Sequence, residues 1–171
     1  MEDSATRIED HKLLQASLAL VAPRADELVT AFYDQLFAEH PSVRSLFPPV
    51  MDLQKEKLLK AIIAPVTHYD TPEQLMPALT TMGRNHVKYG AEIDHYAAVG
   101  GILLNQLQNF AGDAWTPEIE GAWTRAYTFA AGAMMQGAEA AKAEAAETSE
   151  LVTAAAGRVE RRRWWQRRRA A

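Results

Sequence analysis

The apolar residues of this chain recur at the 3.6-residue helical period, and nowhere do they alternate with period two. A chain patterned this way packs helix on helix, and its prolines and glycines mark where each helix starts and stops. The first helix is expected over residues 8–21, with Leu14, Leu18 and Val21 on one face, and Pro23 interrupts it. The second covers 24–38. Leu28, Phe32 and Leu36 form its apolar stripe, with Val29, Tyr33 and Phe37 beside them. His40-Pro41 ends it, because a residue before proline avoids helical backbone. Residues 41–50 read as a short helical turn and a loop closed by Pro48-Pro49.

A third long helix is expected over 52–67, with Leu58, Leu59, Ile62 and Ile63 apolar, and Pro65 should bend or end it. Asp70-Thr71-Pro72-Glu73 is a helix start, with Thr71 as cap and Pro72 in the first turn. That helix runs to about residue 89 and stops at Gly90. A fifth covers 93–110. Thr116-Pro117-Glu118 repeats the start signal, and the last core helix runs from 118 to about 140. The fold class is therefore all-α, with about six helices and short loops. Residues 139–156 are rich in Ala and Glu, a composition that suits either an extended helix or a linker.

The 171 residues suit one domain with a core large enough to enclose a ligand. The chain has no cysteine, which excludes disulfides, thiolate metal sites and thiol catalysis and fits a cytoplasmic protein. No apolar run approaches the roughly 20 residues of a membrane span. The acidic start Met1-Glu2-Asp3-Ser4 does not read as a signal peptide. The net charge of −4 hides an asymmetry. Residues 1–157 hold 11 basic and 21 acidic side chains, whereas 158–171 hold seven arginines and one glutamate.

His86 lies in Met82-Gly83-Arg84-Asn85-His86-Val87-Lys88-Tyr89-Gly90, at the end of a helical pattern. No second histidine follows at the three- or four-residue step of a zinc helix, and His11, His40, His68 and His95 are scattered. Two readings remain open from the residues alone. His86 is a core histidine with satisfied nitrogens, or it is the one protein ligand of a metal whose other ligands come from a cofactor. A porphyrin supplies four such nitrogens.

The order of motifs decides between them. Phe32-Tyr33-Asp34-Gln35-Leu36-Phe37 is followed by His40-Pro41-Ser42-Val43-Arg44-Ser45-Leu46-Phe47, by Gln54 with Lys57-Leu58, and by Leu75-Met76-Pro77-Ala78. Then come Gly83-Arg84-Asn85-His86, Tyr89-Gly90, His95-Tyr96 with Val99-Gly100, and Ala122-Trp123 with Ala126-Tyr127. From about residue 8 to 140 this resembles a bacterial single-domain globin. It is similar to the haem domain of flavohaemoglobins and to neuroglobin-like bacterial globins.

The resemblance implies a globin fold of six to eight helices around a pocket for haem b, with a basic C-terminal extension. Residues 1–140 form the globin domain, 141–157 a helical extension or linker, and 158–171 a basic tail. His86 is the proximal iron ligand, its second ring nitrogen held by a carbonyl one turn earlier, near Met82. Phe47 wedges the haem, and Leu58, Val99 and Leu103 line it. Lys57 either reaches a propionate or stays solvated. Tyr96 matches a tyrosine that, in flavohaemoglobin-like proteins, joins a proximal glutamate network. Here Ala138 falls at the glutamate position with Glu139 beside it, and one residue of offset turns a helical side chain by about 100°.

Tyr33 and Gln54 are the distal pair, each able to donate a hydrogen bond to a ligand. With glutamine in place of a distal histidine, a five-coordinate ferrous iron is expected, a sixth ligand from Lys55 or Lys57 being the exception. The function implied is reversible binding of dioxygen, and of nitric oxide or carbon monoxide. The alternatives are nitric oxide dioxygenation with an external reductase, and a haem-based gas or redox sensor signalling through the tail. About 30 residues beyond the core leave no room for flavin and nicotinamide domains. The Arg/Trp-rich tail reads as a solvated end, as an anchor on an anionic membrane surface, or as a site for protein partners, with nucleic acid the weaker option.

Overall fold

A computed structural model describes residues 4–169. The side chains of residues 4, 157, 160 and 162–169, with the Trp164-Trp165 pair of the proposed tail anchor, lie outside the described residues. Six α-helices run in order: α1 (Ser4–Val21), α2 (Ala25–Glu39), α3 (Asp52–Thr67), α4 (Pro72–Lys88), α5 (Ile93–Ala111) and α6 (Pro117–Arg169). Short 3-10 turns cover Ala22–Arg24, Pro41–Leu46 and Gly112–Ala114. No strand occurs among the described residues.

The core forms where the periodicity places it. Leu14, Val21, Leu28, Val29, Phe32, Leu36, Ile62, Leu103, Leu107 and Trp123 are buried together in the main cluster. A second, smaller cluster joins Leu75 and Leu79 of α4 to Ala133 of α6. Polar ties fix the layers. Asp10 of α1, 2% exposed, accepts two hydrogen bonds from the Arg125 guanidinium of α6 and one from the Tyr69 hydroxyl. The Trp123 indole donates to Ser17 at 2.9 Å, and Gln106 donates to Gln35 between α5 and α2.

Helix α4 is held chiefly by α6, and the two backbones cross very closely. A Cβ on Gly83 would lie 1.8 Å from the Met134 carbonyl oxygen, and one on Gly137 would lie 2.1 Å from that of Thr80. Only glycine fits at either point. Arg84 and Glu144 pair across the same two helices. By contrast, α5 touches α3 and α4 only in passing.

Three sequence expectations need correction, and His95, which was given no role, acquires one. Helix α6 does not stop near residue 140, because no proline or glycine breaks its Ala/Glu-rich stretch before Gly157. Thr71 makes no side-chain cap bond, whereas Thr116 accepts from the Ile119 amide at 3.4 Å. Ile63, expected in the core, is 40% exposed on the outer side of α3. His95 is consumed locally: its Nδ1 accepts from the Glu92 amide at 3.0 Å, closing a reciprocal cap at the start of α5.

Candidate functional site

His86 sits in the last turn of α4, just before the chain turns at Gly90, whose φ of +80° is reached readily only by glycine. Its ring is half-buried, and Nδ1 lies 2.8 Å from the Met82 carbonyl. A carbonyl only accepts, so Nδ1 carries the proton and Nε2 keeps its lone pair for a metal. The bond also fixes the ring's rotation about α4. Tyr96 of α5 lies alongside, with ring centroids 6.0 Å apart.

The Tyr96 hydroxyl is buried and has no hydrogen-bond partner among the described residues, and burial raises its pKa. Tyr127 of α6 packs beneath, its hydroxyl donating to the Tyr96 backbone carbonyl. Glu139 does not reach this group: it is exposed and paired with Lys142 at 3.1 Å, while Ala138 takes the buried position. Among the described residues, Glu139 therefore does not bring a carboxylate to Tyr96 and His86.

A second group of expected site residues, on α2 and α3, is aromatic. Tyr33, 4% exposed, is wedged by Phe32, Phe37 and Phe47 at centroid distances of 5.1, 5.7 and 5.6 Å. Its hydroxyl accepts from the Gln54 amide nitrogen at 3.2 Å and lies 3.5 Å from the Gln54 backbone oxygen. One Gln54 N–H is thus spent on Tyr33 and the other remains. Desolvation raises the pKa of Tyr33, so the phenol keeps its proton as a donor.

Arg44, unremarked in the sequence reading, fixes the loop that places Phe47. It donates to the carbonyls of Phe47, Pro48 and Pro49 and lies 5.0 Å above the Phe37 ring. Three consecutive acceptors near a double proline are its only sequence signal. Leu58 and Val99 are half-buried against the core, and Leu103 is buried. Lys57 is exposed.

These residues fit a flat, apolar, metal-bearing cofactor. A lone imidazole keeps Nε2 free of its Met82 tie, half-buried apolar side chains are available on α3 and α5, and no group of three or more acidic or histidine residues offers an all-protein metal site among the described residues. No helix among the described residues is long and apolar enough to cross a membrane.

Comparisons with known proteins agree. The globin family model matches residues 30–134. A flavohaemoprotein of Rhodopirellula baltica is 36% identical over 70% of this chain, which spans only 30% of that relative's length. A globin-like protein of Aquifex aeolicus is 30% identical over 72% of this chain and 87% of its own. Among solved structures, an engineered carbene transferase built on a candidate nitric oxide dioxygenase from Rhodothermus marinus aligns with a TM-score of 0.72. That alignment covers 80% of this chain and 96% of the other at 26% identity. The chain belongs to the globin family, and its cofactor is haem b.

Proposed function

We propose that the chain is a globin that reversibly binds dioxygen, and also nitric oxide and carbon monoxide, with His86 as the only protein ligand to iron. When bound, haem supplies a ferrous centre with one open coordination position. The chain's own residues do the rest. His86 presents Nε2 in one orientation because Met82 holds Nδ1. Leu58, Val99 and Phe47 contribute apolar surface that limits water around the cofactor. Tyr33 donates from its hydroxyl to the negative end of a polarised diatomic ligand, while Gln54 orients that hydroxyl and keeps one N–H of its own.

The observation that carries this reading is the Tyr33–Gln54 bond, a donor pair held rigid inside an aromatic wedge. A preformed donor favours a ligand that gains negative charge over neutral carbon monoxide. Repeated oxygenation and deoxygenation of the reduced holoprotein tests it. A spectrum that cycles between two forms supports reversible binding, and immediate conversion to the ferric form contradicts it.

A second reading, nitric oxide dioxygenation, is favoured by the similarity to flavohaemoproteins and to the Rhodothermus marinus protein. Sustained turnover then needs an electron donor such as a separate reductase. Steady-state nitric oxide consumption that requires an added reductase supports this reading. One stoichiometric burst in its presence contradicts it.

A further inference from the structure

Beyond Ala141 every described side chain of α6 is exposed, yet the helix continues unbroken to Arg169. The last 28 residues therefore stand off the body as an arm of about 42 Å, at about 1.5 Å per residue. An exposed helix of Ala, Glu and Arg needs no apolar face for solubility, but this one has one. Leu151, Val152 and Val159 are 62%, 63% and 56% exposed. Val152, Ala155 and Val159 follow at steps of three and four, with Leu151 on their flank and Thr148 one step before. That is the seam spacing of a two-stranded coiled coil. Nothing among the described residues covers it.

The arm is also electrically two-ended. Residues 139–150 carry four glutamates and one lysine, whereas 158–169 carry seven arginines and one glutamate. Glu139 and Glu144 already have partners in Lys142 and Arg84, and Glu147 and Glu150 stand exposed on the arm. We propose that this face is a self-association surface, on which two copies of the chain pair their α6 arms antiparallel.

Charge selects both the partner and the direction. A parallel pair would set seven arginines beside seven. An antiparallel pair sets each arginine-rich end beside the other copy's glutamates and toward its acidic body. A lipid surface is the poorer match, because one continuous helix would carry Glu147 and Glu150 toward the same anionic headgroups that attract the arginines.

The test uses the full, haem-loaded chain. Sedimentation velocity at micromolar concentration should give twice the 18.9 kDa chain mass, and high salt should weaken the pair. Val152→Glu with Val159→Glu should leave a monomer with an unchanged Soret band and helical signal. The chain has no cysteine, so single ones report geometry. Under oxidation Ala155→Cys, on the seam at the arm's middle, should form a linked pair and Gln166→Cys, near its tip, should not. A monomer at every concentration, a persistent dimer in the double glutamate variant, or ready cross-linking through Gln166→Cys would overturn the proposal. So would binding to phosphatidylserine vesicles by a chain that stays monomeric without them, which would make lipid the partner.

Discussion

Replacing Tyr33 by Phe isolates one hydrogen-bond donor. The ring stays, because Phe32, Phe37 and Phe47 hold it at 5.1, 5.7 and 5.6 Å, and only the hydroxyl is lost. Stability loses one bond, from the Gln54 amide at 3.2 Å. The contact to the Gln54 carbonyl, at 3.5 Å, is too long to count for much. Gln54 is half-buried and its amide can turn to water, so the folding cost should be near the low end of about 0.5–1.5 kcal/mol.

The ligand effect should be larger. A donor to a charged acceptor is worth about 1.5–3 kcal/mol, which is about 10- to 150-fold in dissociation rate. Stopped-flow displacement of dioxygen by carbon monoxide measures that rate. Carbon monoxide release should change far less, since that ligand carries little charge. Equal acceleration of both ligands, or no acceleration of dioxygen release, would refute the assignment of Tyr33 as the donor.

Other perturbations test the frame around the site. Arg125→Met removes the guanidinium from the Asp10 carboxylate, whose side chain is 3% exposed and keeps only the Tyr69 hydroxyl of the donors described above, and should cost about 2–4 kcal/mol in urea unfolding; Asp10→Asn leaves a guanidinium that is 41% exposed and should cost clearly less. Gly83→Ala drives a methyl into the Met134 carbonyl, so α4 must leave α6. It should cost about 3 kcal/mol or more and slow haem uptake, while Gly101→Ala, with open space around it, should stabilise by up to about 1 kcal/mol. Burial raises the phenol pKa values of Tyr33, Tyr96 and Tyr127. Stability from these phenols is full below their unfolded value, near 10, and is lost as pH climbs through the folded values. Absorbance at 295 nm should show at least three tyrosines ionising late, together with alkaline unfolding, and fewer than three late ones would contradict the burial of Tyr33, Tyr96 and Tyr127.

Much of this was legible in the sequence, for stated reasons. The stripe Leu28–Phe32–Leu36 announced α2 and its buried face. Pro72 marked the start of α4 to the residue, and Thr116-Pro117-Glu118 that of α6 to within one. Where sequence reasoning failed, tertiary partners decided. Asp10, Ser17 and Gln106 look like surface residues on a helical wheel, and only Arg125, Trp123 and Gln35 explain their burial. Gly83 and Gly137 mark a backbone crossing that a linear pattern cannot display. The end of α6 was placed where burial ends, but helix propensity persists beyond the last buried residue, since Ala and Glu are strong helix formers. At the site, the type of Gln54 was readable, whereas its commitment to the Tyr33 hydroxyl depends on how α2 and α3 cross.

The central claim is that His86 alone of the protein's residues holds the haem iron. The visible absorption spectrum of the purified protein, ferric, dithionite-reduced and with carbon monoxide, beside that of His86→Gly with and without imidazole, tests it most directly. The account expects a strong Soret band, one broad ferrous visible band that splits on adding carbon monoxide, and loss of that signature in His86→Gly with recovery in imidazole. Sharp split ferrous bands without added ligand would reveal a second protein ligand, and an unchanged spectrum in His86→Gly would place the iron on another residue; either would contradict it.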